Sequence, residues 1–233
     1  MDPQVEYLIS LEYDQQRSAE WLKLRGNMLT ASDAGTAIGV NPYETIDDFI
    51  LKKCGHNSFK GNQATEWGNK YEDEARDIYT LEYNETVHEI GLYPHPKFNW
   101  LGGSPDGVTS SGKLIEIKCP LRRKITKDVP VYYMAQVQML LEILNLESAV
   151  FIEYKPAQLT WPNPYEFVVT EVPRDRDWWA EAFPKMESVW NKVLWHRSNG
   201  IDGLVSSVKP KKPRVRKKKE CLIEDDPNVF SNA

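Results

Sequence analysis

No apolar run in this 233-residue chain approaches the ~20 residues needed to cross a bilayer. The opening MDPQVEYLIS has neither the basic start nor the apolar stretch of a secretion signal, so an intracellular protein with no membrane association is expected. Cysteine is scarce: Cys54, Cys119 and Cys221 are isolated, which excludes a disulfide framework, a CxxC zinc pair and the four thiolates of an ordinary iron–sulfur cluster. The four histidines, His56, His88, His95 and His196, lack metal-ligand spacing. There is no GxxxxGK[ST] phosphate loop, so ATP-driven movement would need another protein, and no internal repeat.

What is present suits a packed globular protein. Hydrophobic residues make up 41% and charged residues 27%, and the length fits one domain. The net charge of −5 is uneven: residues 209–219 (KPKKPRVRKKK) hold eight positive charges and no acid, leaving 21 basic against 34 acidic residues elsewhere. An acidic body disfavours broad nonspecific nucleic-acid binding but permits a locally basic groove. We expect one domain over residues 1–204 and a mobile basic tail over 205–233, in which the apolar pattern fades.

Local signals alternate between helix and strand. Residues 14–25 suggest a helix capped by Asp14, with Gly26 left-handed beyond its end. Further helices are expected from Ser32 to Gly39, from the Thr45/Asp48 capping box to just before Gly55, and over 64–81, where Trp67, Tyr71, Ala75, Ile78 and Tyr79 form one stripe. Strands are expected over 86–93, 99–103, 113–119, 149–154 and 165–172. A helix over 130–146 would place Pro130 in its first turn, and one over 174–197 should be kinked or divided at Pro184. The sum is a mixed α/β domain.

The chemistry concentrates between Leu101 and Pro120. Asp106 lies in a Ser-Pro-Asp-Gly turn, and ten residues later KLIEIKCP places Glu116 and Lys118 two apart. Strand geometry puts those two on one face, about 7 Å apart, with Ile115 and Ile117 on the other. Mg²⁺ usually takes one or two protein carboxylates and leaves its other positions to water and phosphate, which Asp106 and Glu116 could satisfy. Such an ion polarises a phosphodiester and acidifies water, while Lys118 could position that water or offset developing charge. The competing possibility is a solvated hairpin in which Glu116 and Lys118 are the exposed face of an edge strand.

PDG followed by EIK resembles the PD-(D/E)XK nuclease signature. The segments WLKLRGNMLTAS, WGNKYEDEA, GGSPDG, LIEIKCP and YYMAQVQM resemble, in the same order, the successive motifs of the phage lambda exonuclease and YqaJ-type viral recombination nucleases. They span Trp21 to Tyr154, over half the chain.

The resemblance implies a restriction-endonuclease-like core, a mixed central sheet flanked by helices. It makes Asp106, Glu116 and the Ile117 backbone carbonyl the metal ligands, for two Mg²⁺ ions or for Mn²⁺, with Lys118 beside the attacking water and Glu72 as an additional acid. Arg25, Ser32, Ser104 and Gln136 would hold a 5′-terminal phosphate. Each has a plainer alternative. Arg25 could complement a helix dipole, Ser32 could cap the next helix and Glu72 could belong to a solvated helix face. Gln136, on a helical face otherwise formed by Tyr132, Met139, Leu140 and Ile143, could make a structural hydrogen bond to a strand.

The implied activity is 5′-to-3′ digestion of one strand at double-stranded DNA ends, yielding mononucleotides and a 3′ overhang for recombination or repair of viral DNA. The implied partners are a homotrimer and a single-strand-annealing recombinase. A site- or structure-specific endonuclease could use the same core. An inactive DNA-end-binding module would not need the intact Asp106, Glu116 and Lys118 set. The run 209–219 resembles a nuclear-import signal and could instead add DNA affinity.

Overall fold

The computed structural model describes residues 1–16, 18–56 and 61–205. Residues 206–233, and with them the expected basic tail and its import signal, lie outside the described residues. The chain opens with a helix that the sequence reading did not anticipate, α1 (Pro3–Ile9). Asp2 caps it by accepting from Gln4 N at 2.8 Å and Val5 N at 3.2 Å, and Val5 and Leu8 are buried. In α2 (Ala19–Gly26) the cap is Ser18, which accepts from Trp21 N at 3.1 Å, rather than Asp14. The chain before it is held elsewhere, since the Tyr13 hydroxyl donates to Leu8 O at 2.8 Å. Gly26 is the last helical residue, not a left-handed one beyond the end.

Strand β1 (Leu29–Thr30) leads into a 3₁₀ turn (Ala31–Asp33) and a single turn of helix, α3 (Ala34–Ala37). This element begins earlier than expected because Thr30, not Ser32, engages the turn. Asp33 Oδ2 accepts from Thr30 N at 3.1 Å and Thr30 Oγ1 at 2.8 Å. The Thr45/Asp48 box caps α4 (Ile46–Lys53) as expected, and Gly55 beyond it has φ +87°. Asn62 caps α5 (Gln63–Tyr83), whose buried Tyr71, Ala75 and Tyr79 lie on the anticipated stripe.

The segment 86–93 is not one strand. It divides into β2 (Val87–His88) and β3 (Tyr93–Pro94), which join different sheets, and Ile90 and Leu92 are buried between them. Next come β4 (Leu101–Gly103), the unanticipated β5 (Gly107–Thr109) and β6 (Lys113–Lys118). Helix α6 (Val131–Leu144) has Pro130 at its cap, not in its first turn, and the Pro130 carbonyl accepts from Tyr133 N and Met134 N. Strands β7 (Ser148–Pro156) and β8 (Tyr165–Pro173) flank a short helix, α7 (Ala157–Thr160). Helix α8 (Arg176–Asn199) runs through Pro184 undivided, because buried Ala182, Met186, Val189, Trp190 and Val193 anchor it on both sides of the proline. α9 (Asp202–Val205) follows.

One sheet has the order β2-β5-β6-β7-β8, with β6 and β7 parallel and the other pairs antiparallel. The second has the order β1-β4-β3. The alternation of β6 sends its side chains into two layers. Ile115 and Ile117 join Tyr71, Ala75 and Tyr79 of α5, whereas Leu114 joins Met139, Leu140 and Ile143 of α6. Each fully buried aliphatic side chain contributes about 1.5–3 kcal/mol of transfer free energy, so both layers hold β6 in register.

Close approach to α6 requires a missing side chain at Gly35, where an added Cβ would meet Tyr132 O at 2.9 Å. Because that neighbour is backbone it cannot swing aside. Gly35→Val is therefore expected to destabilise the fold by about 1–3 kcal/mol, read as a lower urea midpoint at unchanged slope. Gly26→Ala, with nothing within 4 Å, should leave the midpoint near that of the wild type; equal midpoints for both variants would contradict the packing argument.

Candidate active site

The centre is assembled on β6 and the turn before β5. Asp106 Oδ2 accepts the Ile117 backbone N–H at 2.6 Å, so the Ser-Pro-Asp-Gly turn is pinned to the strand that carries the other two charged residues. Glu116 is 0% exposed, and β6 is the middle strand of five, which rules out the solvated edge-strand alternative. One Glu116 oxygen, Oε1, accepts from Lys118 Nζ and from Gln136 Nε2, the latter at 2.6 Å. The other, Oε2, is buried and has no hydrogen-bond partner among the described residues. An unpaired buried carboxylate oxygen is costly, and it marks where a cation would be favoured.

The electrostatics follow from that burial. Glu116 is pushed up to about 8, mainly by desolvation, with Lys118 opposing and Asp106 and Glu72 adding to the shift. Burial also raises Asp106, against Lys118 and the Ile117 N–H. Glu72 rises to about 7 through burial and then the Asp106 charge, while Arg76, 3.4 Å from its Oε1, pulls the other way. Burial disfavours the Lys118 ammonium, but Glu116 and Asp106 outweigh this and hold it charged. Three acids thus share one lysine, and burial disfavours the ionised form of each, so a divalent cation would be needed to hold them all as carboxylates. Among the described residues no three His, Cys, Asp or Glu side chains form a metal-holding cluster. The residues that could hold an ion are instead the two carboxylates Asp106 and Glu116, with Glu72 as a further acid and Ile117 lining the same cavity as Asp106 and Glu72, oxygen donors of the kind Mg²⁺ accepts.

Asp106, Lys118, Ile117 and Glu72 line a cavity of about 680 Å³, bounded by Thr65, Gly68 and Asn69 of α5 on one side and Tyr133 of α6 on another. Glu72 therefore faces the cavity and is not part of a solvated face. Tyr133 was not singled out from the sequence, although it lies three residues before Gln136 and so on the same helical side. Lys118 Nζ sits 5.1 Å from its ring centroid, a cation–π contact that helps orient the ammonium.

The other candidate residues divide. Arg25 donates to Ser32 Oγ at 3.0 Å, lies 4.5 Å from the Trp21 ring centroid, and has Thr30 Oγ1 at 3.5 Å. Since Ser32 is exposed and does not cap the turn, the pair presents a guanidinium and a hydroxyl together. Beneath it buried Asp33 is held well below the usual carboxylate range by Lys53 and Lys52 despite its burial. Lys53 Nζ in turn donates to Arg25 O at 2.9 Å. Gln136 is bonded to Glu116, not to the Arg25–Ser32 pair. Ser104, half-buried in the β4–β5 turn, has no hydrogen bond among the described residues. Gln138 takes the structural role: it donates to Pro173 O at 2.8 Å and accepts from Asp175 N at 2.7 Å.

A mixed sheet flanked by helices, with Asp106, Glu116 and Lys118 brought together at its middle strand, is a fold of the PD-(D/E)XK type. Residues 20–147 match the YqaJ-like viral recombinase domain, and the chain belongs to that family. Among solved structures, LHK-Exo, an alkaline exonuclease from Laribacter hongkongensis, in its complex with dAMP, shares this fold with a TM-score of 0.68 at 22% identity, over 82% of this chain and 100% of that one. Protein R354 of Acanthamoeba polyphaga mimivirus is 32% identical over 160 residues, covering 60% of this chain and 29% of its own. Protein D345L of African swine fever virus (strain Badajoz 1971 Vero-adapted) is 31% identical over 158 residues, 53% of this chain and 45% of its own. The chain thus spans less than half the length of either viral relative.

The raised Glu72 carboxyl gives a pH-dependent prediction for the protein in chelator. The native state keeps this proton longer than the unfolded chain, so the Glu72 contribution to stability falls as pH rises from about 4.5 to 7 and is then level. Glu72→Gln should match the wild type in thermal midpoint at pH 4. At pH 8 it should exceed it by about 1–3 kcal/mol of stability, since Arg76 keeps Asp73 and Glu89 as partners. Superimposable midpoints at both pH values would refute the assignment.

Proposed function

We propose that the chain is a divalent-metal-dependent exodeoxyribonuclease that digests one strand of linear duplex DNA from its 5′ end, in recombination or repair of viral DNA. The observation that carries this reading is the fully buried Glu116, with one oxygen unpartnered among the described residues, beside Asp106 and a charged Lys118. Family membership and the alkaline-exonuclease fold support the class of reaction.

In this reading Asp106, Glu116 and the Ile117 carbonyl hold Mg²⁺, or Mn²⁺ in its place, and Glu72 serves a second ion. The metal, when bound, supplies polarisation of the scissile phosphate and acidification of a water. The remaining work falls to this chain's own side chains. Gln136 fixes the rotamer of Glu116 through their 2.6 Å hydrogen bond. Lys118, held charged, keeps a proton on Nζ, which can hydrogen-bond an attacking water or a non-bridging phosphate oxygen. Arg25 and Ser32 bind the 5′-terminal phosphate through charge-assisted and hydroxyl hydrogen bonds, and so fix which end is cut; Ser104 is proposed as a further donor. Family likeness alone supports the accompanying proposals of a homotrimer and a single-strand-annealing partner. Among the described residues no helix is long and apolar enough to cross a membrane.

Linear duplex carrying 5′-phosphate or 5′-hydroxyl ends tests the reading, with a covalently closed circle as control. The 5′-phosphorylated strand should be lost in Mg²⁺ but not in chelator, with the circle left intact. Lys118→Ala should slow the reaction about 10²- to 10⁴-fold, and Arg25→Ala should erase the preference for phosphate. Mg²⁺ should raise the thermal midpoint of the wild type and of Lys118→Ala but not of Asp106→Asn. Degradation that survives chelation or Lys118→Ala would contradict the mechanism, and a cut circle would replace the exonuclease by an endonuclease.

A further inference from the structure

Next to the catalytic cavity lies a second recess of about 420 Å³, walled by Tyr43, Tyr132, Tyr133, Arg122 and Arg123. The two share Tyr43, Asn62, Ala64, Pro120, Leu121 and Tyr133, so a ligand with one part at Asp106 and Lys118 can extend directly into the recess. Its most prominent feature is Tyr43, 72% exposed yet not loose. The Tyr43 backbone N–H donates to Asn41 Oδ1 at 3.0 Å, and its ring meets that of Tyr132 edge-on, with centroids 5.6 Å apart and planes at 89°. Tyr132 is in turn braced by Tyr133, at 4.3 Å between centroids, and by Gly35 packed against its backbone. The result is a rigid aromatic shelf with an open face.

The opposite side is basic. In the segment 121–129 (LRRKITKDV) there are four cations and one acid. Arg123 is committed to buried Glu153, which also accepts from Thr126 N at 3.4 Å and so pins the loop. Arg122 is exposed and has no acidic partner among the described residues. Aromatic faces beside an available guanidinium, continuous with a phosphodiester-cleaving centre, match the chemistry of a nucleobase on its sugar-phosphate: the π-face stacks and the phosphate pairs with the cation.

We propose that this recess is a nucleobase subsite, in which the base of a nucleotide flanking the scissile bond stacks on Tyr43 while Arg122 meets the adjoining phosphate. Every base offers a π-face, so the subsite is indifferent to sequence. The proposal rests on the nuclease reading for its place in turnover, but not for binding.

The test removes the base and the ring in turn. Wild type and Tyr43→Ala are compared on duplexes whose cut strand carries a tetrahydrofuran abasic residue at the first or the second position from the 5′ end. Tyr43→Ala should slow cleavage of the normal strand about 5- to 150-fold, and Tyr43→Trp should restore it. At one of the two positions the abasic residue should slow the wild type by a similar factor yet leave Tyr43→Ala unchanged, the non-additivity of two groups in contact. In chelator, an oligonucleotide with 2-aminopurine at that position should be quenched by the wild type and by Tyr43→Trp but not by Tyr43→Ala. Additive effects at both positions, or quenching that Tyr43→Ala preserves, would overturn the subsite while leaving the nuclease reading intact. A wild type that cuts no DNA would instead overturn the nuclease reading, and the 2-aminopurine arm then decides the subsite by itself.

Discussion

The burial of the Glu116 carboxylate beside Asp106 is the constraint around which the molecule is arranged. A carboxylate on the middle strand of a sheet, fully removed from water, is costly unless positive charge and hydrogen bonds replace its hydration. Lys118 and Gln136 both serve one of its oxygens, and the second has no partner among the described residues. The protein alone therefore compensates the site only in part, and a hard cation would complete it.

The rest of the fold can be understood as support for that arrangement. Ile115 and Ile117 lock β6 against α5, Leu114 locks it against α6, and α6 delivers Gln136 and Tyr133 to the charged side of the strand. Gly103 lies close to both α6 and the 3₁₀ turn, where an added Cβ would meet Leu140 at 2.5 Å and Ala31 at 3.3 Å. The same tight layer thus links the strand before Asp106 to the turn that presents Ser32, tying the acidic centre and the Arg25–Ser32 pair to one rigid support.

Much of this was legible in the sequence, for identifiable reasons. The two-residue spacing of Glu116 and Lys118, with isoleucines between and before, encodes two faces of a strand, and the structure has them. The capping box at Thr45 and the stripe on α5 are local signals that tertiary packing did not override. What escaped depends on contacts remote in sequence. Strand β5 is only three residues long and exists because β2 and β6 pair with it. Pro184 reads as a helix breaker until the buried stripe on both sides of it is known. Gln136 was legible as an amide needing a partner, though it is half-buried rather than buried, but not as the partner of Glu116, 20 residues away. The buried Asp33–Lys53 pair under Arg25, and Tyr43 across the cleft, carried no spacing signal at all.

The most direct measurement of the central claim is anomalous scattering from crystals grown with Mn²⁺. The account predicts that the ion would be held by Asp106 and Glu116, at the side of the unpartnered Glu116 Oε2. Crystals that bind Mn²⁺ only elsewhere, with Lys118 still the sole cation on Glu116, would contradict it.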